Sequence, residues 1–268
     1  LQGLNGAYRG PATANRDSWG PRGDTMSWDG ATTNQWDKNG NLVSSKSASA
    51  KKAFTPYDNI GNFFRTGVTN SHNISISGGG DNTTFRLSLG RSNQTGIIPL
   101  SSYTRNTIGL NAETKLSSKL TIGSGVNFTN STGNFVQQGS NLSGIMLGLL
   151  RTPISFDNSN GTTDPEDRTA YYFPDGNQRT YRGTGIYDNP YFTINQNKYN
   201  DNLNRIFGNA YATYMALPWL SITERVGTDY YNNNSQQNYG INSGAFGGGR
   251  VYIREEHYQH INNDLIVN

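Results

Sequence analysis

The chain has 268 residues, among them 32 glycines, 16 tyrosines and no cysteine, and carries a formal net charge of +3. Hydrophobic residues make up 33%, well short of the roughly 45–50% apolar usage of an average globular domain, yet at 15% charged residues this is not a highly charged disordered chain. The scattered basic residues form no stripe for a phosphate backbone, which argues against nucleic acid, and the missing cysteines rule out a disulfide framework and a Cys-based zinc site.

Asn, Ser, Thr, Gly and Tyr stand where apolar residues would be, a mixture that suits strands with polar inner faces and hydrated loops. No apolar run reaches the roughly 18 residues that would read as a membrane helix. The chain starts at Leu1 and stops at Asn268 inside a strand-like run, so both ends are expected to be cuts, and the lack of a signal peptide says nothing about the parent protein.

In chain order, residues 1–69 read as a loop-rich segment. Four strands are expected over 70–130, at Asn70–Ser77, Thr83–Asn93, Tyr103–Leu116 and Leu120–Asn130. In the third, Ile108, Leu110, Ala112 and Leu116 share one parity, while Thr107, Gly109, Asn111, Glu113 and Lys115 share the other. After Ser117-Ser118-Lys119 the pattern restarts, with Leu120, Ile122, Val126 and Phe128 against Thr121, Gly123, Gly125 and Asn127. Each strand therefore has one apolar face and one face of small, polar or charged residues.

A long loop over 131–201 follows, with one helix expected at 141–152. Leu142, Ile145, Met146, Leu149 and Leu150 keep helical spacing, Asn141 is the N-cap and Pro153 ends it. The helix reads as the small core that orders the loop, with a contact surface for a partner as the sharper alternative. Four further strands are expected over 202–268, at Asn202–Ala216, Leu220–Tyr231, Arg250–Tyr258 and from Asn263 to the end. Both parities of Asn202–Ala216 carry bulky residues, Ile206 and Tyr214 on one, Phe207, Tyr211 and Met215 on the other, so its faces stay unassigned.

The links alternate in length. Gly78–Asn82, Ser117–Lys119, Leu217–Trp219 and the region of Gln259–Asn262 are short; Gln94–Ser102, Ser131–Asp201 and Asn232–Gly249 are long. A soluble sandwich has no general reason for that bias. An outer-membrane barrel has one, because its turns are short on the periplasmic side and its loops long outside. Strands such as Leu120–Asn130 come close to the roughly 9–11 residues of a tilted membrane strand. The fold class expected is therefore all-β, a segment of a large antiparallel transmembrane β-barrel with long extracellular loops and one short loop helix. Tyr103, Phe128, Tyr230 and Tyr231 fall at the loop-side boundary, where aromatic girdles lie; ordinary strand aromatics are the alternative.

Enzyme motifs are absent: no Walker loop, no zincin helix, no nucleophile elbow and no dinucleotide fingerprint, so no enzyme and no cofactor are expected. His257 and His260, three apart on a strand, point to opposite faces and make a poor metal pair. Asp157, Asp164, Glu166, Asp167 and Asp175 cluster in the long loop without EF-hand spacing; a solvated acidic loop is favoured over an adventitious calcium site. The stretch Tyr171–Phe192, YYFPDGNQRTYRGTGIYDNPYF, interleaves tyrosine, arginine, Asp and Asn. Such residues can stack on and hydrogen-bond to sugar rings or extended peptides, or can simply pack the loop on itself, and both readings stand. The candidate substrate- or lid-binding residues are Tyr171, Tyr172, Tyr181, Arg182, Asp188 and Asn189.

Several stretches resemble the SusC/RagA family of TonB-linked outer-membrane transporters. They are SWGPR (Ser18–Arg22), the run from Pro56 to Gly90, TGIIP (Thr95–Pro99), YTRNTIGLN (Tyr103–Asn111), DNPYF (Asp188–Phe192) and RIFGNAYATY (Arg205–Tyr214). The resemblance covers only the early part of the family's barrel. It implies a barrel of about 22 strands with a plug in its lumen, of which about eight strands are here. It also implies import of oligosaccharides or peptides through the outer membrane of a Gram-negative bacterium, with energy relayed by TonB and a SusD-like surface lipoprotein as lid. Neither the plug nor a TonB-contacting segment is among these residues. A passive porin is the first alternative, and a secreted β-rich adhesin or carbohydrate-binding module the second.

Overall fold

The computed structural model describes residues 20–137, 139–182 and 186–268. Ser18 and Trp19 of the SWGPR stretch, with the rest of residues 1–19, lie outside them. Among the described residues, two sheets are built from ten strands. The small one orders β2 (Leu42–Ser44), β1 (Met26–Trp28) and β3 (Lys52–Ala53) around Met26, Trp28 and Phe54, so the N-terminal segment carries a miniature core of its own.

The large sheet is a seven-stranded antiparallel meander in which every strand pairs with its neighbour in sequence. It runs β4 (Val68–Gly79), β5 (Thr83–Thr95), β6 (Ser102–Lys115), β7 (Leu120–Val136), β8 (Lys198–Leu217), β9 (Leu220–Ile241) and β10 (Gly248–Val267). The first four match the expected strands. The last two expected strands are one: β10 pairs with β9 without a break from Arg250 to Val267. The polar run around Gln259–Asn262 is therefore no turn, and the eight expected strands become seven, three of them in 202–268. The backbone ladder from Gln259–Asn262 to Gly227–Tyr230 continues through the run, whatever the side chains face.

Register settles the faces that sequence left open. Ile108, Phe128, Ile206 and Tyr230 lie in one cross-strand row, as do Leu110, Val126, Gly208 and Thr228. Ile206 and Tyr214 thus stand on the apolar face, opposite Phe128 and Leu120. Phe207, Tyr211 and Met215 stand on the polar face. Tyr211 has a reason to be bulky there. Its ring crosses β7 at Gly123, where a Cβ would come within 2.4 Å of it, and its hydroxyl donates to Glu113 two strands away. The same parity divides the four expected girdle aromatics. Phe128 and Tyr230 are on the apolar face, but Tyr103 and Tyr231 are on the polar one, because adjacent residues of a strand cannot share a face.

The apolar face is solvent-exposed along its whole width, with Ile76 at 60%, Leu110 at 47% and Leu265 at 67%. A globular sandwich would cover such a face; a barrel wall turns it to lipid. From Phe128 to Leu120 it spans five outward rows, about 20 Å along the membrane normal at a strand tilt of about 40°. Beyond Phe128 this face changes character. Asn106 donates to Asn130 (3.4 Å) and Asn130 to Asn204 (2.9 Å), and Asn232 bonds His257 (3.1 Å). Strands of 20 and 22 residues run on past this amide belt, polar on both faces.

All longer connections leave the same end of the sheet, at 96–101, 137–197 and 242–247, and the turns at 80–82, 116–119 and 218–219 leave the other. The fold is a segment of an antiparallel transmembrane β-barrel. In the full-length protein Leu110→Arg is expected to cost about 2–4 kcal/mol if the site lies near the midplane. Asn111→Arg, one residue on and facing the other way, is expected to be far milder. Unfolding free energies in a reversible bilayer assay compare the two; equal values would refute the face assignment.

Candidate functional site

The long connection between β7 and β8 folds as a compact body. Its described residues contain two α-helices where sequence led us to expect one: α1 (Ile145–Arg151) and α2 (Pro190–Gln196). α1 starts later than expected, with Gly144 rather than Asn141 at its N-cap, and ends before Pro153 as expected. Ile145 and Leu149 turn inward to a cluster with Phe63, Ala170, Tyr171, Tyr191, Phe192 and Ile194. Met146 and Leu150 of the same expected stripe stay exposed, at 50% and 62%. α2 begins in the DNPYF motif: Asn189 caps it by accepting from the Tyr191 N–H (2.9 Å), and Pro190 occupies the first turn, where its missing N–H costs nothing.

Asp188 holds this body to the rest of the protein. Its carboxylate is 3% exposed and accepts four hydrogen bonds. They come from Gln178 Nε2 (3.0 Å), Asn197 Nδ2 (2.8 Å), Ser243 Oγ (2.7 Å) and the Gly244 N–H (2.6 Å). One side chain thereby ties the middle of the loop, the C-cap of α2 and the β9–β10 connection together. Asn197 completes the link by accepting from the Gly240 N–H (3.0 Å). Gly240 is required there, since a Cβ would meet Gln196 Cβ at 2.7 Å and keep α2 off β9.

Asn189 does the same inside the body. Its Nδ2 reaches the carbonyls of Asn158, Ala170 and Arg179 at 3.0–3.1 Å. Arg179, 1% exposed, lies against Phe156 (4.4 Å) and donates to the carbonyls of Asp157, Ala170 and Trp36, which joins the body to the N-terminal segment. Burial pulls its pKa down to about 10, against the opposing pull of Asp157 and Asp37. Asn59 and Trp36 add further links, to Asn158 (2.9 Å) and to Phe173 (4.8 Å between ring centroids).

The six candidate residues divide accordingly. Tyr171 (2% exposed), Tyr181 (3%), Asp188 (3%) and Asn189 (2%) are buried in the body and offer no open ring or amide to a ligand. Tyr172 and Arg182 are half-buried. Arg168 stacks on Tyr172 (4.9 Å), and Arg182 and Arg151 both approach the ring of Tyr187 (4.9 and 5.0 Å). The loop carboxylates cap turns rather than converge. Asp157, Asp164, Asp167 and Asp175 each accept the backbone N–H two residues on, at 2.9 Å. Gln178, Arg179, Asn197 and Ser243 escaped sequence reasoning; only their positions in the fold give them partners.

Asp188→Ala would strand four donors in a dry site, a loss on the order of 3 kcal/mol in the stability of the loop body. Hydrogen exchange should accelerate across 139–182 and 242–247 and stay unchanged in β4 to β7. Faster exchange throughout, or in neither region, would contradict the role assigned to Asp188.

No family model matches the chain, and none of the curated proteins matches it in sequence. Solved structures do match. The chain is similar to the RagAB peptide importer in the 'closed-closed' state, with a TM-score of 0.58 and 18% identity over 80% of this chain and 23% of that one. For the same importer in the 'open-open' state the TM-score is 0.57 and the identity 19%, over 78% and 22%. A further structure of the RagAB peptide transporter gives 0.56 and 17%, over 78% and 23%. The chain thus spans less than a quarter of each neighbour's length, and at these identities the likeness is one of fold.

Proposed function

We propose that the chain forms part of the wall and mouth of a TonB-dependent importer in the outer membrane of a Gram-negative bacterium, taking up oligosaccharides or peptides together with a SusD-like surface lipoprotein. The observation that carries this is the division of the seven-stranded sheet into an exposed apolar face and a polar face, with every long connection at one end. The fold shared with RagAB peptide importers supports nutrient import, and the resemblance of the DNPYF and RIFGNAYATY stretches to the SusC/RagA family supports the lipoprotein partner. Coupling to TonB would run through parts of such a protein outside these residues. In this proposal the apolar face meets lipid, the polar face lines the lumen, and the loop body stands outside the cell. Tyr172 and Arg182 then offer contact surface to substrate or lid, while Tyr171, Tyr181, Asp188 and Asn189 hold that surface in shape.

Sidedness tests the proposal. Asn177 and Ser118 are both exposed, at opposite ends of the sheet, in a chain with no cysteine of its own. On intact cells a membrane-impermeant maleimide should label Asn177→Cys and spare Ser118→Cys. Labelling of Ser118→Cys without permeabilisation would overturn the orientation, and unimpaired growth of a deletion strain on limiting peptide and oligosaccharide would overturn the importer.

A further inference from the structure

Beyond Phe128 the face that carries Ile108 and Leu110 turns to amides and hydroxyls. The first row there runs Arg91, Asn106, Asn130, Asn204 and Asn232 across β5 to β9. The next two rows toward the long connections run Thr104, Thr132, Asn202, Asn234 and Ser102, Asn134, Asn200, Gln236. A groove of about 460 Å³ lies over them, lined in part by Thr104, Thr132, Asn200, Asn202, Asn234 and Gln236. Each strand from β6 to β9 has both neighbours in place, so these rows do not depend on what lies beyond β4 or β10. The side chains only partly use one another. Asn204 donates to Asn202 (3.4 Å), Asn234 to Asn232 (2.9 Å) and Thr104 to Asn93 (3.2 Å). An amide has two N–H donors and an oxygen that accepts twice. Asn202 Nδ2 and Asn234 Oδ1 therefore stay without a protein partner among the described residues. Arg91 donates to Asn93 (3.4 Å) and pairs with no carboxylate among the described residues.

We propose that this groove holds the sugar headgroup of a glycolipid of the outer leaflet, with Arg91 beside it for a headgroup phosphate. The proposal rests on the orientation put forward above, apolar face in lipid and long connections outside the cell, and not on what the protein imports. Three features support it. The first is height. Asn130, Thr132 and Asn134 follow Phe128 by two, four and six residues, which places them about 5 to 15 Å above the last apolar row at a tilt of about 40°. That is the headgroup level, on the side of the wall away from the lumen and so off any import path. The second is chemistry. Sugar hydroxyls donate and accept, as amides and threonine hydroxyls do, and strands about 4.8 Å apart set such groups in a grid on the scale of a sugar ring. The third is what the groove rows lack. Across β6 to β9 they hold no charged side chain to select a sugar-free anionic lipid, and none of the aromatic or arginine anchors that protein partners use.

The test uses the full-length protein, stripped of lipid in detergent and titrated by native mass spectrometry. The probes are lipid A carrying two Kdo sugars, the same compound fully deacylated, and phosphatidylglycerol. The parent should bind the glycolipid at least about tenfold more tightly than phosphatidylglycerol. Asn202→Ala/Asn234→Ala should weaken the glycolipid about tenfold and leave phosphatidylglycerol within about twofold. Asp201→Ala/Ser235→Ala, one residue away on the same two strands and facing the other way, should leave both unchanged. Arg91→Gln should weaken the glycolipid several-fold and flatten its salt dependence. The site is overturned if the Asn202/Asn234 variant, assembled normally by heat-modifiability, binds the glycolipid like the parent, or if the Asp201/Ser235 variant loses as much. It is equally overturned if phosphatidylglycerol binds as tightly as the glycolipid, which would make this a generic anionic-lipid surface. Equal affinity for the deacylated compound, with the same loss in the variant, would overturn it in favour of a soluble sugar. Maleimide labelling separates the two levels: Ser118→Cys labelled on intact cells defeats the orientation, whereas the expected sidedness with glycolipid binding unmoved in the Asn202/Asn234 variant defeats the glycolipid site alone.

Discussion

The constraint on which the structure depends is that consecutive side chains of a strand point to opposite faces, while backbone polar groups are satisfied only by the neighbouring strand. Seven strands in unbroken antiparallel register turn that local rule into a wall with two chemistries. Ile74, Leu89, Ile108 and Phe128 gather in one row without any contact between their strands' sequences being specified in advance. The opposite face collects most of the strand charges, including Arg205 and Asp229, paired at 2.6 Å. A one-residue slip anywhere would send Arg205 outward and Ile206 inward, so each row fixes the next.

That rule also explains what was legible in the sequence. Period two was plain in β6 and β7, where Leu110 and Val126 alternate with Asn111 and Gly125, and these strands could be read directly. It was obscured in β8, where Tyr211 is bulky on the polar face because its partner Glu113 lies two strands away across Gly123, 88 residues earlier than the ring it receives. It failed in β10, where Gln259, His260, Asn262 and Asn263 are polar at both parities; only pairing to β9 shows one strand instead of two. Gln259 and Asn263, with Glu224 in the adjacent row, make the outward face of β9–β10 less apolar than that of β5–β7. Glu224 stands two residues from Ile222 and four from the start of β9, toward the short-turn end, where a charge near the bilayer edge costs least.

Of the six candidate residues the structure buries Tyr171, Tyr181, Asp188 and Asn189 and leaves Tyr172 and Arg182 half-buried. Tyrosine, Asp and Asn interleaved in a long loop are what a ligand site needs, and also what a loop needs in order to fold without a large core. The structure spends Asp188 and Asn189 on the second task. A capping Asn followed by Pro190 was a readable helix start, and α2 could have been found from it. The four donors that converge on Asp188 could not, because Gln178, Asn197, Ser243 and Gly244 come from three separate segments. Burial of Arg179 follows the same logic. A cation among carbonyls, at 2.5 Å from Asp157 O and 2.7 Å from Trp36 O, needs no carboxylate at contact distance if several backbone dipoles point at it.

These anchors give the two ends of the strands different mechanical roles. Below the amide belt of Asn106, Asn130 and Asn204 the sheet has one apolar and one polar face. Above it β8 and β9 are polar on both faces and hold their course through neighbours and through the loop body seated on Gly240. Ser243 and Gly244, which Asp188 grips, lie between Tyr239 and Arg250 in the chain, so the same carboxylate that orders the loop body also fixes the turn from which β10 descends. Substitutions at Asp188 should therefore disturb the start of β10 as well as the loop. The loop body and the loop end of β9–β10 are in this way one mechanical unit, joined through a single buried carboxylate.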